Sequence, residues 1–187
     1  MKIKDNIHMI ESGKGAHIYL IKGKESFIID CGMPGNIDKI LNEIKELGVE
    51  SKEVTDILLT HSDIDHIGNA KALQDSTGAR VWCSKEEYPY VEGKKKRNGL
   101  KILIGKIFKA EKPKIYNFFN ESEDIKGVRT IFTPGHTEGH TIFLYDKVLF
   151  IGDLFQIKNG KIGFRDNARA APAFSKIRVD CSSCLLA

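Results

Sequence analysis

Thr60-His61-Ser62-Asp63-Ile64-Asp65-His66-Ile67 follows an apolar run and decides how the rest of the chain is interpreted. It places two imidazoles and two carboxylates within six consecutive positions. Two carboxylates this close repel each other unless water or a cation screens them. Imidazole nitrogen and carboxylate oxygen are the ligands that zinc and related divalent metals take in proteins. The stretch therefore predicts a metal site, against the alternative of a solvated turn in which Asp65 caps a helix.

The composition is that of an ordinary globular protein. The chain has 187 residues, of which 41% are hydrophobic and 29% charged, and its net charge is +4. A chain of this length can bury a core of its own, and so mild a charge makes nucleic acid an unlikely partner. Scattered cysteines, no apolar leader and no apolar run of membrane-spanning length predict a cytoplasmic protein that does not bind membranes.

Strands and helices alternate in the first half of the chain, and strands dominate the second half, which predicts a mixed, layered α/β domain. Alternating or continuous short apolar runs predict strands at Ile7–Ile10, His17–Ile21, Ser26–Asp30, Thr55–Thr60, Arg80–Cys83, Lys114–Phe118, Val128–Thr133, Thr141–Tyr145 and Val148–Ile151. Helical spacing and capping signals predict helices at Ile37–Leu47, at about Ile67–Ser76, and from a capping box at Ser84–Glu87.

Three more residues of the metal-binding type follow predicted strands. Asp30 ends the third strand, His136 lies just after Val128–Thr133, and Asp153 lies just after Val148–Ile151. A layered sheet delivers the residues at its strand ends to one edge, where binding sites form. We therefore expect these three residues to meet the His/Asp run in space.

In order and spacing, these motifs resemble those of the metallo-β-lactamase superfamily of metallohydrolases, which includes hydroxyacylglutathione hydrolase-like enzymes. Four of the five family motifs are matched, by Asp30, by His61 to His66, by Pro134-Gly135-His136-Thr137 with Gly139-His140, and by Gly152-Asp153. The resemblance covers about Ile7 to Phe155. It implies an αββα sandwich with a two-metal site at one edge of the sheets.

The resemblance also implies a role for each matched residue. Carried over by position, the ligands are His61, Asp63 and His136 for one metal, Asp65 and His66 for the other, and Asp153 as the bridge between them. Asp65 would in addition be the catalytic residue that orients the nucleophile and moves its proton. Asp30 and His140 would support the ligands without binding metal themselves.

The chain departs from the family pattern in two places. Asp63 stands where the family usually has histidine, and the added negative charge favours harder ions such as manganese or iron over zinc, which is otherwise the expected metal. No histidine follows His140, although the family's fifth motif is a late histidine on the second metal. We therefore expect an altered or truncated C-terminus in which the last strand and helix are missing.

We expect a single domain over residues 1–187, with an insertion at about 88–112 and an irregular tail at about 165–187. The insertion would roof the site. Its basic run Lys94–Arg97 could attract an anionic small-molecule substrate, although such runs are most often solvated loops. The apolar stretch Leu100–Phe108 could line a cleft or form a homodimer contact.

The resemblance implies a metal-dependent hydrolase. Two metals sharing a water would generate hydroxide for attack on an ester, thioester, lactone or phosphodiester. Two other functions stay open. One is a di-iron oxidoreductase of the same fold, which would need a partner to deliver electrons, and the other is a non-catalytic remnant that binds metal without turnover.

Overall fold

A computed structural model of the protein describes residues 1–95, 110–121, 123–158, 161–164 and 185–186. The strands in these ranges are β1 (Lys2–Lys4), β2 (Ile7–Ile10), β3 (Ile18–Ile21), β4 (Ser26–Ile29), β5 (Val54–Leu58), β6 (Arg80–Cys83), β7 (Ile115–Phe118), β8 (Asp124–Ile125), β9 (Val128–Phe132), β10 (Thr141–Tyr145), β11 (Val148–Phe150), β12 (Phe155–Lys158), β13 (Lys161–Phe164) and β14 (Leu185–Leu186). The helices are α1 (Ile37–Glu46), α2 (Ile64–Ile67), α3 (Ala70–Thr77) and α4 (Tyr88–Val91), with a 3-10 turn at Ser51–Glu53.

The strands form two main sheets. The first has the order β1-β2-β3-β4-β5-β6-β7, in which β1 to β4 are antiparallel and β4 to β7 are parallel. The second has the order β14-β11-β10-β9-β8, and β12 pairs with β13 in a separate hairpin. Because β4, β5 and β6 are parallel neighbours, the chain leaves all three at the same edge of the first sheet.

The first sheet is buried on both faces, which explains why its strands are nearly continuous apolar runs. In β3, Ile18 and Leu20 pack into a core shared with α1 and α3, whereas Tyr19 and Ile21 pack against the second sheet. Phe143 and Phe150 fill the space between the sheets from the other side. Burial of each such side chain contributes about 1.5–3 kcal/mol, so the inter-sheet core holds the two sheets in a fixed relation.

The predicted layered α/β architecture is confirmed, with helices α1 and α3 on one face of the first sheet and the second sheet on its other face.

The predicted loss of the last strand and helix falls largely on residues outside the described ranges, as does the apolar stretch Leu100–Phe108. Leu185–Leu186 pairs in parallel with β11. Of the basic run, Lys94 forms an ion pair with Glu92 at 2.5 Å. None of the helices among the described residues has the length and apolarity that crossing a membrane requires.

The helix predicted at about Ile67–Ser76 is wrong at its start, because two helices occupy this region. α2 ends at Ile67 and α3 begins at Ala70. Between them, the backbone N–H of Gly68 donates to the carbonyl oxygen of Gly32 at 2.9 Å. The side chain of Asn69 donates to the carbonyl of Cys31 at 2.8 Å. These bonds pull the chain onto the loop after β4, and this tertiary contact outweighs the local helical pattern.

Asp56, in the middle of β5, is a buried charge that the structure neutralises from several sides. Its side chain is 1% exposed and accepts hydrogen bonds from Arg80 Nε at 2.9 Å and Trp82 Nε1 at 2.8 Å. Lys126 Nζ lies 2.6 Å from its other oxygen. Burial raises the pKa of Asp56, but the hydrogen bonds from these donors outweigh burial. The net effect lowers the pKa from its ordinary value of 3.8 to about 2.

Replacing Asp56 with asparagine is expected to lower the free energy of unfolding by about 3 kcal/mol at pH 7, because two cations lose a buried partner. The folded pKa lies below the unfolded one, so the ionised carboxyl stabilises the fold above about pH 4 and stops doing so as the pH falls through about 2. The difference in the free energy of unfolding between the parent and the variant should therefore become smaller as the pH falls between these two values. Urea unfolding of both proteins at pH 7 and near pH 2.5 measures this.

The matched control for this prediction is Asp75→Asn, which removes an exposed carboxylate paired with Lys71 within one helix. Exposed pairs of this kind contribute less than about 1 kcal/mol. A deficit for Asp56→Asn as small as that of the control, or one that stays constant between pH 7 and pH 2.5, would contradict the role given to Asp56.

Candidate metal centre

The two sheets bring their strand ends together at one edge of the sandwich. Asp30 follows β4 and His61 follows β5 in the first sheet, whereas His136 follows β9 and Asp153 follows β11 in the second sheet. The backbone N–H of Thr141 donates to the carbonyl of Thr60 at 2.9 Å, which joins the two edges directly. The sequence expectation that these segments share a site agrees with this placement.

Four of the six predicted ligands form a tight group. One nitrogen or oxygen from each of His61, Asp63, His136 and Asp153 lies within 4.8 Å of the others. Nε2 of His136 lies 2.9 Å from Asp63 Oδ2 and 3.3 Å from Asp153 Oδ2. Nε2 of His61 lies 3.5 Å from Asp63 Oδ2 and 3.9 Å from Asp153 Oδ2. Nitrogen and oxygen donors converging on one point are the arrangement that a divalent transition metal needs.

The other two predicted ligands lie beside this group. Nε2 of His66 is 3.4 Å from Asp153 Oδ1, the carboxylate oxygen that the first group does not use. Asp65 Oδ2 lies 3.9 Å from the same His66 nitrogen, and the Asp65 side chain is 36% exposed. Asp153 thus presents one oxygen to each side, which is the geometry required of the predicted bridging residue.

A hydrogen-bond network behind the site sets which nitrogen of each histidine faces inward. Asp30 accepts from the Thr60 hydroxyl at 2.7 Å and from His66 Nδ1 at 2.7 Å. Nδ1 of His61 lies 3.0 Å from the Thr60 oxygen. Because a carboxylate accepts, Thr60 points its proton at Asp30, and Nδ1 of both rings carries hydrogen. Nε2 is then the nitrogen that each ring offers to a metal.

The inward nitrogens fit a metal. Nε2 of His61 and Nε2 of His66 are buried, and neither has a hydrogen-bond partner within the described part of the chain. A buried polar nitrogen without a hydrogen-bond partner is costly unless something binds it. The donor set is therefore suited to cations, and it satisfies the requirement that ligating imidazoles be held by a carboxylate or hydroxyl from behind.

The charges around the histidines favour a cation as well. Burial lowers the pKa of His66, but the carboxylates of Asp30 and Asp153 outweigh burial and raise this pKa to about 10. Burial, together with the neighbouring His66, holds the pKa of His61 well below its ordinary value. The negative potential that places a proton on His66 would equally stabilise a metal ion at its Nε2.

His140 has a different position from the ligand-type histidines. The backbone N–H of Asp153 donates to His140 Nε2 at 3.1 Å, so Nδ1 carries the hydrogen and lies 2.7 Å from the Thr133 hydroxyl oxygen. Burial and then the neighbouring His136 lower the pKa of His140 to about 3, which keeps the ring neutral. Both nitrogens of His140 therefore make contacts within the protein, and its role as a support for the metal ligands stays a prediction.

Family membership follows from comparison with known proteins. A family model described as the metallo-beta-lactamase superfamily matches residues 13–176. The chain belongs to the metallo-beta-lactamase superfamily. The resemblance that the four motifs indicated is thereby confirmed, and so is the fold that it implied.

Comparison with individual proteins shows how far the similarity extends. The probable metallo-hydrolase YflN of Bacillus subtilis is 30% identical over 171 residues, which cover 76% of this chain and 65% of YflN. Hydroxyacylglutathione hydrolase GloC of Haemophilus influenzae is 30% identical over 146 residues, which cover 75% of this chain and 66% of GloC. The crystal structure of TTHA1623 in a di-iron-bound form superimposes with a TM-score of 0.71 at 22% identity, and the superposition covers 91% of this chain and 85% of TTHA1623. The chain spans slightly less than two thirds of the length of the two curated relatives.

The Gly-Asp pair of the superfamily motif has a steric explanation in this chain. Gly152 has a φ of 49°, and a Cβ there would lie 2.9 Å from Thr60 Oγ1 and 3.0 Å from His140 Nε2. Only glycine lets the backbone pass this close while Asp153 keeps its hydrogen bond to His140.

Sequence reasoning missed two residues of the site. Thr60 has no sequence pattern that predicts a role, and the spacing of Glu87 from Ser84 predicts a capping box. Ser84 does accept from the backbone N–H of Glu87 at 3.3 Å, but the helix begins only at Tyr88 and the Glu87 carboxylate binds elsewhere. A usable signal existed, because Glu87 follows β6, the parallel neighbour of β5, and so leaves the sheet at the same edge.

Proposed function

We propose that this member of the superfamily is a metal-dependent hydrolase with a binuclear centre. The observation that carries the proposal is the position of Asp153, which directs one oxygen toward His61 and His136 and the other toward His66. A carboxylate with ligand-type groups on both sides is suited to hold two cations close together. The names of YflN and GloC, a probable metallo-hydrolase and a hydroxyacylglutathione hydrolase, support the reaction class.

The proposed ligands divide between two positions. Those of the first are His61, Asp63 and His136, those of the second are Asp65 and His66, and Asp153 is shared. Divalent ions bound there would supply hydroxide near neutral pH, since they lower the pKa of a bound water from near 16 to about 7, and would polarise the substrate oxygen. Asp65 has the side chain of this set that is most open to solvent, and we propose that it orients the attacking water and accepts its proton.

Zinc, manganese and iron are the candidate metals. The first position combines the oxygens of Asp63 and Asp153 with two imidazoles, so its donor set is half oxygen. Oxygen donors suit harder ions, whereas imidazole suits zinc and also binds iron. We propose zinc as the resident ion and Asp63 as the residue that makes manganese or iron an effective substitute.

The proposed substrates are small molecules that carry an ester, thioester, lactone or phosphodiester bond. An anionic substrate is favoured, because bound cations and a net positive protein charge attract one. We also keep the cytoplasm as the proposed location and a homodimer as the proposed assembly, both from the sequence.

The test of this proposal is metal content combined with turnover. Elemental analysis of the purified protein should give about two divalent ions per chain, the number that a binuclear centre holds. Stripping with a chelator should abolish hydrolysis of at least one substrate in a panel of thioester, lactone and phosphodiester compounds, and Zn²⁺ or Mn²⁺ should restore it. A protein that binds no metal, or that hydrolyses its substrate equally well after stripping, would refute the proposal. Bound iron with a visible absorption band and no hydrolysis would support the oxidoreductase instead.

A further inference from the structure

Glu87 makes a buried connection that the proposed chemistry does not use. It lies in the turn between β6 and α4, and its side chain is fully buried. One carboxylate oxygen accepts from the backbone N–H of Ser62 at 2.9 Å and from the Ser62 hydroxyl at 2.5 Å. The other oxygen accepts from the backbone N–H of Gly139 at 3.0 Å. In each of these bonds an N–H or O–H group donates and the Glu87 carboxylate accepts.

Ser62 and Gly139 lie in the two loops that carry the first metal position. Ser62 sits between His61 and Asp63 in the chain, after a strand of the first sheet. Gly139 follows His136 by three residues, between two strands of the second sheet. One carboxylate therefore bridges segments that are 77 positions apart in sequence, counting from residue 62 to residue 139. The distance between these segments determines whether the ligands of the first position can share an ion.

The packing around this bridge leaves it little freedom. A Cβ added at Gly139 would lie 2.1 Å from Ser84 Oγ and 2.9 Å from Glu87 Cγ. The loop after His136 therefore rests directly on the turn that carries Glu87. Because the side chain has no exposed surface, the carboxylate cannot exchange these donors for water without disturbing both loops.

We propose that Glu87 is a positioning residue, which holds the His61–Asp63 loop and the His136 loop at the separation that the first metal position needs. The inference rests on the proposed function, because it assumes that these loops bind metal. Residues that orient ligands from behind typically change metal affinity by about 10–100-fold when they are mutated. Asp30 accepts a hydrogen bond from the ring of His66, whereas Glu87 accepts from the backbone of both loops.

Glu87→Gln tests the proposal with little change in shape. The amide places a donor where one oxygen accepted, so the N–H of either Ser62 or Gly139 faces another donor. We expect the dissociation constant for the first equivalent of Zn²⁺, measured by competition with a chromophoric chelator on the stripped protein, to rise about 10–100-fold. The substitution should shift the unfolding midpoint of the stripped protein much less than added Zn²⁺ shifts the midpoint of the parent.

Glu43→Gln is the matched control. The Glu43 carboxylate also accepts two backbone N–H bonds, from Glu11 and Ser12 at 2.8 Å each, but it joins α1 to the loop after β2. This variant loses the same kind of hydrogen bond, and its Zn²⁺ affinity should equal that of the parent. Equal weakening of Zn²⁺ binding in both variants would show a general effect of destabilisation and would overturn the proposal.

Ser62→Ala provides a second variant if Glu87→Gln does not fold. It removes one of the three donors and leaves the buried carboxylate and both backbone bonds in place, so we expect a several-fold weaker Zn²⁺ affinity. If Zn²⁺ binds the parent and the folded variant equally well, the role of Glu87 is refuted and the proposed function stands. A parent that binds no Zn²⁺ would overturn both proposals.

Discussion

Replacing His61 with alanine is expected to abolish tight metal binding and to lower hydrolysis by at least ~10³-fold, which corresponds to about 4 kcal/mol of lost stabilisation. His61 is fully buried, and its Nε2 faces both Asp63 and Asp153. Alanine removes one of the two imidazole nitrogens that lie near both carboxylates and leaves only that of His136. Metal content by elemental analysis and turnover of the best substrate, measured on the same preparation, test the prediction.

The control for this variant is His8→Ala, which removes a half-buried imidazole from β2, away from the strand ends that form the site. It should keep the metal content and the turnover of the parent. Hydrolysis by His61→Ala at the rate of the parent would exclude the proposed centre. If the parent binds metal but hydrolyses no substrate, and the His61→Ala variant folds, the result would instead support the non-catalytic remnant.

Replacing Gly68 with alanine is expected to lower the free energy of unfolding by about 3 kcal/mol, the upper part of the range for overpacked sites. A Cβ there would lie 2.3 Å from the nitrogen of Pro34, 2.4 Å from its Cδ, and 2.6 Å from the carbonyl oxygen of Gly32. These are backbone and ring atoms, which cannot rotate out of the way. Urea unfolding of the parent and the variant measures the loss.

The same substitution should also weaken metal binding. Gly68 lies two residues after His66. Its backbone N–H donates to the carbonyl oxygen of Gly32, which holds the segment that carries His66 against the loop that follows Asp30. A clash there would move His66 relative to Asp153. Gly163→Ala is the control, because a Cβ at that position meets nothing within 4 Å among the described atoms. If Gly68→Ala is as stable as this control, the close approach described here is not rigid.

Much of the fold was predictable because its signals are local. Side chains along the strands of the first sheet alternate between two cores, and the resulting apolar runs predicted β2 to β7 within two residues of their observed bounds, whereas β1 was not predicted. The end of α1 before Gly48 was also predictable, because a glycine favours the left-handed backbone that ends a helix. Gly48 has this conformation, with a φ of 78°. The break between α2 and α3 was missed, since it depends on contacts of Gly68 and Asn69 with a loop that lies far away in sequence.

The family resemblance, with the sequence motifs that carry it, indicated which residue types would meet. Asp30, the His61–His66 run, His136 and Asp153 each follow a strand, and that pattern is written in short stretches of sequence. The role of Glu87 had no comparable local signature. Its spacing from Ser84 matches a capping box, and the preference of its carboxylate for Ser62 and Gly139 exists only once two sheets have packed together.

The sequence by itself determined the chemical character of this protein: which donor atoms are present, which strands end in them, and which superfamily these motifs indicate. Only the tertiary structure decided which oxygen of Asp153 faces which histidine and which nitrogen of each ring points inward. The physical reason is range. Periodicity and capping act over a few residues, whereas the distances at the site join residues about 70 to 90 positions apart and are set by how the inter-sheet core packs.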